Sequence, residues 1–222
     1  MTAPSPTPTA TVDPADRGSE GPLNAEEFDP LLGATSSLVT ATRELMLAVA
    51  TTEASTEELR AARDAIAAVS ASLCRSVRPR VQRMDFDLPA RIRDRGPQAH
   101  WQTYELNPFG IPLRVHFDGD AANAELRANA LHEGPPDHVH GGMSAHLMDC
   151  MLGGLVQATG TRSVTATLDL RFIARTPLDE PLQLGSRIVE RSGRKVWAEG
   201  WIEHRGTRCV EAKGLFLSIA ET

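Results

Sequence analysis

The most apolar stretch of the chain carries a carboxylate at its centre. From His140 to Val156 the residues Met143, Ala145, Leu147, Met148, Met151, Leu152, Leu155 and Val156 fall on nearly every side of a 3.6-residue period. A helix that is apolar all round is a buried helix, so the rest of the chain must supply something to wrap it. Asp149 interrupts that surface. An unpaired buried carboxylate costs on the order of several kcal/mol unless a partner satisfies it or a reaction uses it. The helix also opens on Gly141-Gly142, a step that lets a ligand approach the first backbone N–H groups closely.

What wraps the helix is legible in the period on either side of it. Ile111, Leu113, Val115 and Phe117 alternate with polar or small residues, Asp118-Gly119 turns the chain, and Ala124, Leu126, Ala128 and Ala130 alternate back. That pattern predicts a hairpin. After the helix, Val164, Ala166, Leu168, Leu170 and Phe172 alternate with Thr165, Thr167, Asp169, Arg171 and Ile173 in one long strand. Strands over about 182–191, 194–204 and 207–219 follow, turning at Ser192-Gly193 and Arg205-Gly206. Two strands, one apolar helix and four strands able to pair as an antiparallel meander define an α+β domain over 98–222, a curved sheet wrapped around a central helix.

The residues ahead of that domain differ in kind. Residues 1–30 are rich in Pro, Thr, Ala and acid and are expected to be disordered, since they hold too little apolar surface to offset their ordering entropy. Residues 31–75 read as a helical extension: one helix over 36–50, then a second announced by the capping box Ser55-Thr56-Glu57-Glu58. Leu59, Ala62, Ile66, Val69 and Leu73 give that second helix a single apolar stripe, suited to the main domain or a second subunit. Residues 76–97 lack a period and read as a linker.

A net charge of −6 without a basic stripe argues against nucleic acid. No run approaches the roughly 18 apolar residues of a membrane span. The three cysteines are odd in number and sit among apolar or small residues, which fits reduced thiols; with no secretory or transit pattern, a cytoplasmic setting is expected.

His140-Gly141-Gly142 with an acid nine residues after the histidine, a threonine on the next strand and this strand count resembles the hot-dog acyl-CoA thioesterases of the PaaI type. Glu133-Gly134-Pro135-Pro136 and Ser192-Gly193-Arg194-Lys195 resemble loops of the same family, and the likeness spans roughly residues 100–220. The resemblance implies the hot-dog fold, hydrolysis of an acyl-CoA thioester, and a homodimer or dimer of dimers with the site between subunits. It makes Asp149 the general base for the attacking water, or the nucleophile through an anhydride. Gly141 and Gly142 would supply oxyanion donors, since helix N-terminal N–H groups can hold the charge that develops on the carbonyl oxygen. His140 would orient that loop or contact the thioester. Thr165 would help place the water, with Thr167 as a competitor. Gly193, Arg194, Lys195 and Arg171 would bind the phosphates of coenzyme A, which enters as part of the substrate; no resident cofactor is expected. His138, His140, His146 and Asp149 suggest a metal site only weakly, and none is assigned. Cys150 reads as core rather than nucleophile. Two other readings stay open: an acyl-CoA-binding protein without turnover, and a hot-dog dehydratase using His146 with Asp149.

Overall fold

Residues 30–219 are described by the computed structural model; the segment expected to be disordered lies almost wholly outside them. Helix α1 spans Pro30–Thr51, α2 spans Thr56–Leu73 and α3 spans Leu88–Asp94. Strands β1 (Trp101–Gln102), β2 (Arg114–Asp118) and β3 (Ala121–Arg127) precede a 3-10 turn at Ala130–His132 and the central helix α4, Gly141–Ala158. Strands β4 (Ser163–Phe172), β5 (Pro181–Ser192), β6 (Lys195–His204) and β7 (Thr207–Ser218) complete the domain.

The capping box holds as read. The Ser55 N–H donates to Glu58 Oε2 at 2.8 Å and the Glu58 N–H donates to Ser55 Oγ at 3.3 Å, fixing the start of α2. The apolar stripe of α2 is uncovered in the single chain: the helix has no buried residue, and Leu59, Val69 and Leu73 are exposed. The segment read as a linker contains α3, whose Leu88 and Ile92 enter the main core. One apolar pair four residues apart is too short a signal to show a helical period, and Pro89 in the first turn is a helix start as much as a breaker.

Among the described residues, all seven strands form one antiparallel sheet in the order β1-β2-β3-β5-β6-β7-β4. The four strands after the helix are therefore not a simple meander. β5, β6 and β7 are consecutive neighbours, but β5 pairs with β3, and β4 crosses to pair with β7. This leaves β4 at the end of the sheet. The sheet curls around α4, whose Leu147, Met148, Met151, Leu152, Leu155 and Val156 form the centre of the core. Gly200 and Gly214 on β6 and β7 face it. A β-carbon at Gly200 would lie 3.1 Å from Leu152 and one at Gly214 would lie 3.2 Å from it, so the absence of side chains lets the helix nest.

Helix α4 is not covered on every side. Gly142 and Asp149 are exposed, and Ala145, His146 and Gly153 are half-buried. The curl stops at β4 and leaves one strip of the helix open. Asp149 is thus solvated in the single chain, and the expected burial of this carboxylate is corrected.

Candidate functional site

Three hollows surround α4, and they divide the predicted residues among them. Asp149 and Thr165 line a pocket of about 270 Å³ together with Trp101, Thr103, Tyr104 and Cys150. Gly141 lines a cleft of about 800 Å³ with Ser144, His138 and Phe172. His140 and Gly142 line an apolar cavity of about 630 Å³ beneath α1.

In the first pocket Thr165 Oγ1 donates to Asp149 Oδ1 at 2.9 Å. The strand geometry decides between the two candidate threonines. Thr165 pairs with Phe216 and Thr167 pairs with Leu215, so Ala166 is an extra residue, a β-bulge. Adjacent rungs of a ladder point to opposite faces. Phe216 is buried under the helix, so Thr165 shares its face and meets Asp149 while Thr167 takes the other. Simple alternation put both on one face, because a bulge leaves no mark in the hydropathy pattern.

His140 is the N-cap of α4, with its Nδ1 accepting the Gly142 N–H at 2.9 Å. That donor is therefore engaged. Among the described residues the Gly141 N–H has no hydrogen-bond partner, which leaves it free to meet a ligand. Gly141 and Asp149 are eight residues apart, about 12 Å along the helix at 1.5 Å per residue. Within one chain, then, the helix start and the acid do not converge on a single carbonyl.

The expected phosphate cluster also divides. The hairpin tip at Gly193, which has a φ of +55°, sits at the Asp149 end of the sheet, where Ser218 pairs with Ser163. Arg194 donates from Nε and Nη2 to the Ser218 carbonyl at 3.0 and 2.8 Å, and Lys195 lies 5.9 Å above the Trp197 ring. Arg171 pairs across the ladder with Glu211, six residues along β7 from the Leu217 that faces Lys195, and it belongs to a separate charged hollow. It does not join the other three.

Sequence reasoning missed Tyr104. Its hydroxyl accepts from the Cys150 thiol at 3.3 Å, and its ring centroid lies 5.2 Å from that of His146. Burial pushes the Cys150 thiol up to about 11, which makes it an inert neighbour and not a nucleophile. Burial also raises the Tyr104 phenol and lowers His146. The His146 ring is turned toward Tyr104 and Cys150, and its Nε2 lies 3.9 Å from the sulfur. It makes no hydrogen bond with Asp149, which leaves the dehydratase reading without its acid–histidine pair. One tyrosine in an irregular loop carries no period, so only composition was available to flag it.

A solved thioesterase superfamily protein superposes on this chain with a TM-score of 0.69 at 27% identity, covering 83% of this chain and 90% of that one. The chain has the hot-dog fold of the thioesterase superfamily. Because the hot-dog domain is little more than half of the chain, the likeness extends into the helices ahead of it. Other solved structures match less. A phenylacetic acid degradation-related protein from Ralstonia eutropha has a TM-score of 0.44 at 20% identity, covering 47% of this chain and 83% of that one. A thioesterase protein with coenzyme A from Streptococcus pneumoniae has a TM-score of 0.47 at 15% identity, covering 49% and 90%. No family model matches the chain, and no curated protein does.

Proposed function

We propose that this hot-dog protein hydrolyses acyl-CoA thioesters at sites shared between two copies of the chain. The observation that carries the reading is the Thr165–Asp149 hydrogen bond in an open pocket beside a bare edge strand. The ten-residue β4 exposes Val164 (49%) and Phe172 (60%), and Ile173 just beyond it is 51% exposed. A long unpaired edge that exposes apolar side chains at both ends is a template for another strand.

Pairing β4 with its own copy, antiparallel about the strand's midpoint, sets Phe172 of the second copy beside Ser163–Thr165 of the first. Gly141 travels with it, because a β-carbon there would touch the Phe172 ring at 3.3 Å. The pairing therefore carries the unengaged Gly141 N–H of one copy toward the Asp149 of the other, which resolves the 12 Å separation within a chain.

In the reaction Asp149, held by Thr165, takes a proton from water as the water oxygen bonds to the acyl carbon. The Gly141 N–H of the second copy stabilises the oxyanion. The C–S bond then breaks, and the proton passes from Asp149 to the departing CoA sulfur. Direct attack by Asp149, giving an anhydride that water opens, uses the same groups. Arg194 and Lys195, at the same end of the sheet, are the candidates for the CoA phosphates, and coenzyme A is part of the substrate rather than a resident cofactor. No helix among the described residues is long and apolar enough to cross a membrane. Unpaired Cys74, Cys150 and Cys209 support a reducing, cytoplasmic setting.

The test is subunit complementation. Asp149→Asn removes the base. Gly141→Pro removes the oxyanion N–H and adds a β-carbon 3.3 Å from the Phe172 ring, which is 60% exposed and has room to give. Proline suits the first helical position, and His140, with φ −59° and ψ 135°, already has the conformation that precedes proline. Each variant alone is expected to lose about 10²–10³-fold in kcat. Mixed and allowed to exchange subunits, they should regain activity, because one site of each heterodimer then holds Asp149 and Gly141 together. Failure to complement, with both variants folded and dimeric, rejects the shared site. Tight acyl-CoA binding without turnover by the wild type replaces hydrolysis with binding.

A further inference from the structure

The acid pocket and the large apolar cavity are neighbours, and the Tyr104 side chain, which lines the first, packs against residues that line the second. The Tyr104 ring lies against Gly110, where an added β-carbon would fall 2.1 Å from it, and against His146; both residues line the cavity beneath α1. Its hydroxyl reaches Cys150, which lines the acid pocket with it. The far walls of the cavity are apolar: Met46 and Leu47 of α1, with Ile111, Leu126, Leu131 and Met143. At about 630 Å³ it falls in the range of roughly 300–1,000 Å³ that holds small-molecule ligands, whereas the acid pocket, at about 270 Å³, falls below it.

Tyr104 is held where it is by a residue from outside the hot-dog domain. Its φ of +50° lies in the left-handed region, uncommon for a bulky side chain. Arg43 of α1 donates from Nη2 to the carbonyl oxygens of both Tyr104 and Asn107, the latter at 2.7 Å. Helix α1 thus supplies a wall of the cavity and the clamp on the partition.

We propose that Tyr104 is the specificity-determining residue of this protein: its ring, clamped by Arg43, confines the acyl group to the small acid pocket and selects short acyl groups over long chains. This rests on the thioester-hydrolysis reading above. Removing the ring joins the pocket to the cavity beneath α1 and gives a long acyl chain an apolar place to lie.

The experiment compares kcat/KM over a series from acetyl-CoA to palmitoyl-CoA for the wild type, Tyr104→Gly, Tyr104→Phe, and Tyr104→Gly combined with Leu47→Trp. Glycine suits the backbone at φ +50°, so the opening variant relieves strain instead of adding it. The wild type should decline with chain length. Tyr104→Gly should raise palmitoyl-CoA relative to acetyl-CoA by about tenfold or more, the yield of burying two or three methylenes. Tyr104→Phe keeps the ring and should keep the wild-type order of substrates. Leu47→Trp refills the cavity from the α1 side and should return the double variant to that order. Binding of cis-parinaric acid, followed by its fluorescence, reads the same cavity without turnover: Tyr104→Gly should bind it about tenfold more tightly than the wild type, and Leu47→Trp should abolish the gain.

A wild type already selective for palmitoyl-CoA overturns the proposal, as does a folded Tyr104→Gly protein with unchanged substrate order and unchanged probe binding. If no acyl-CoA is turned over by the wild type, hydrolysis fails as the function, and the probe alone decides whether Tyr104 closes the cavity.

Discussion

At the scale of single residues, the decisive feature is a bulge of one. Ala166 shifts the ladder so that Thr165 shares the helix-facing side with Phe216 and Thr167 does not. Two chemically identical side chains two positions apart therefore have opposite expectations. Thr165→Ala removes the donor to Asp149, a hydrogen bond to a charged group, and should lower kcat by about 10–10²-fold. Thr167→Ala lies on the outer face and should leave kcat within about twofold. Steady-state rates on one good acyl-CoA substrate decide it; equal losses in both variants would mean that the bulge does not set the site. The sequence showed that Asp149 was anomalous and which threonines followed it. It misjudged why the acid is tolerated. An apolar period reports what a helix surface prefers to touch, and the strip around Asp149 is bare in one chain because the sheet ends at β4.

Among elements, α4 shows how a local motif and a distant one were legible to different degrees. Its start was readable from His140-Gly141-Gly142, and in the structure these three residues do different things. His140 caps the helix, Gly142 donates to the cap, and Gly141 is left unengaged. The use of a histidine as an N-cap sets up a clean expectation. His140→Ala should cost about 0.5–2 kcal/mol of stability, while His140→Asn, whose side-chain oxygen can accept the same N–H, should retain most of it. Denaturant midpoints measured at fixed protein concentration test this, and equal midpoints for the two variants would show that the cap contributes nothing. The hairpins at Gly193 and at Arg205-Gly206 were equally readable because turn chemistry is local. The crossing of β4 to β7 was not, since strand order depends on which edge finds which, and the irregular segment from Ile173 to Glu180 carries no turn signature that names its destination.

For the whole molecule, the histidines half-buried around the domain govern how stability responds to acid. His100, His132 and His146 all titrate below the ordinary imidazole value, chiefly because burial disfavours the charged ring; Arg114 and His116 add to this at His100, and Asp149 opposes it at His146. In the unfolded chain these rings bind protons from about pH 6.5 downward, before the folded protein does. The unfolded state therefore holds more protons across that window, and stability must fall as pH drops through it. The carboxylates act in a separate range. Asp120, bonded to Arg191, and Glu199, bonded to Arg187, titrate below their ordinary values, so the stability they supply is present at neutral pH and is lost only as pH falls past about 4. The unfolding midpoint should accordingly be flat between about pH 7 and about 8, decline as pH falls from about 6.5, and decline again below about 4. Above about pH 8.5 it should also fall, because burial keeps the Cys150 and Cys209 thiols protonated in the folded chain after the unfolded chain has lost those protons. Replacing His132 and His146 by Gln should flatten the first decline and leave the second in place. A midpoint that rises as pH falls from about 7 to about 5.5 would mean that these rings gain a proton on folding, and with it that the walls of the Tyr104 partition are wetter than their packing implies.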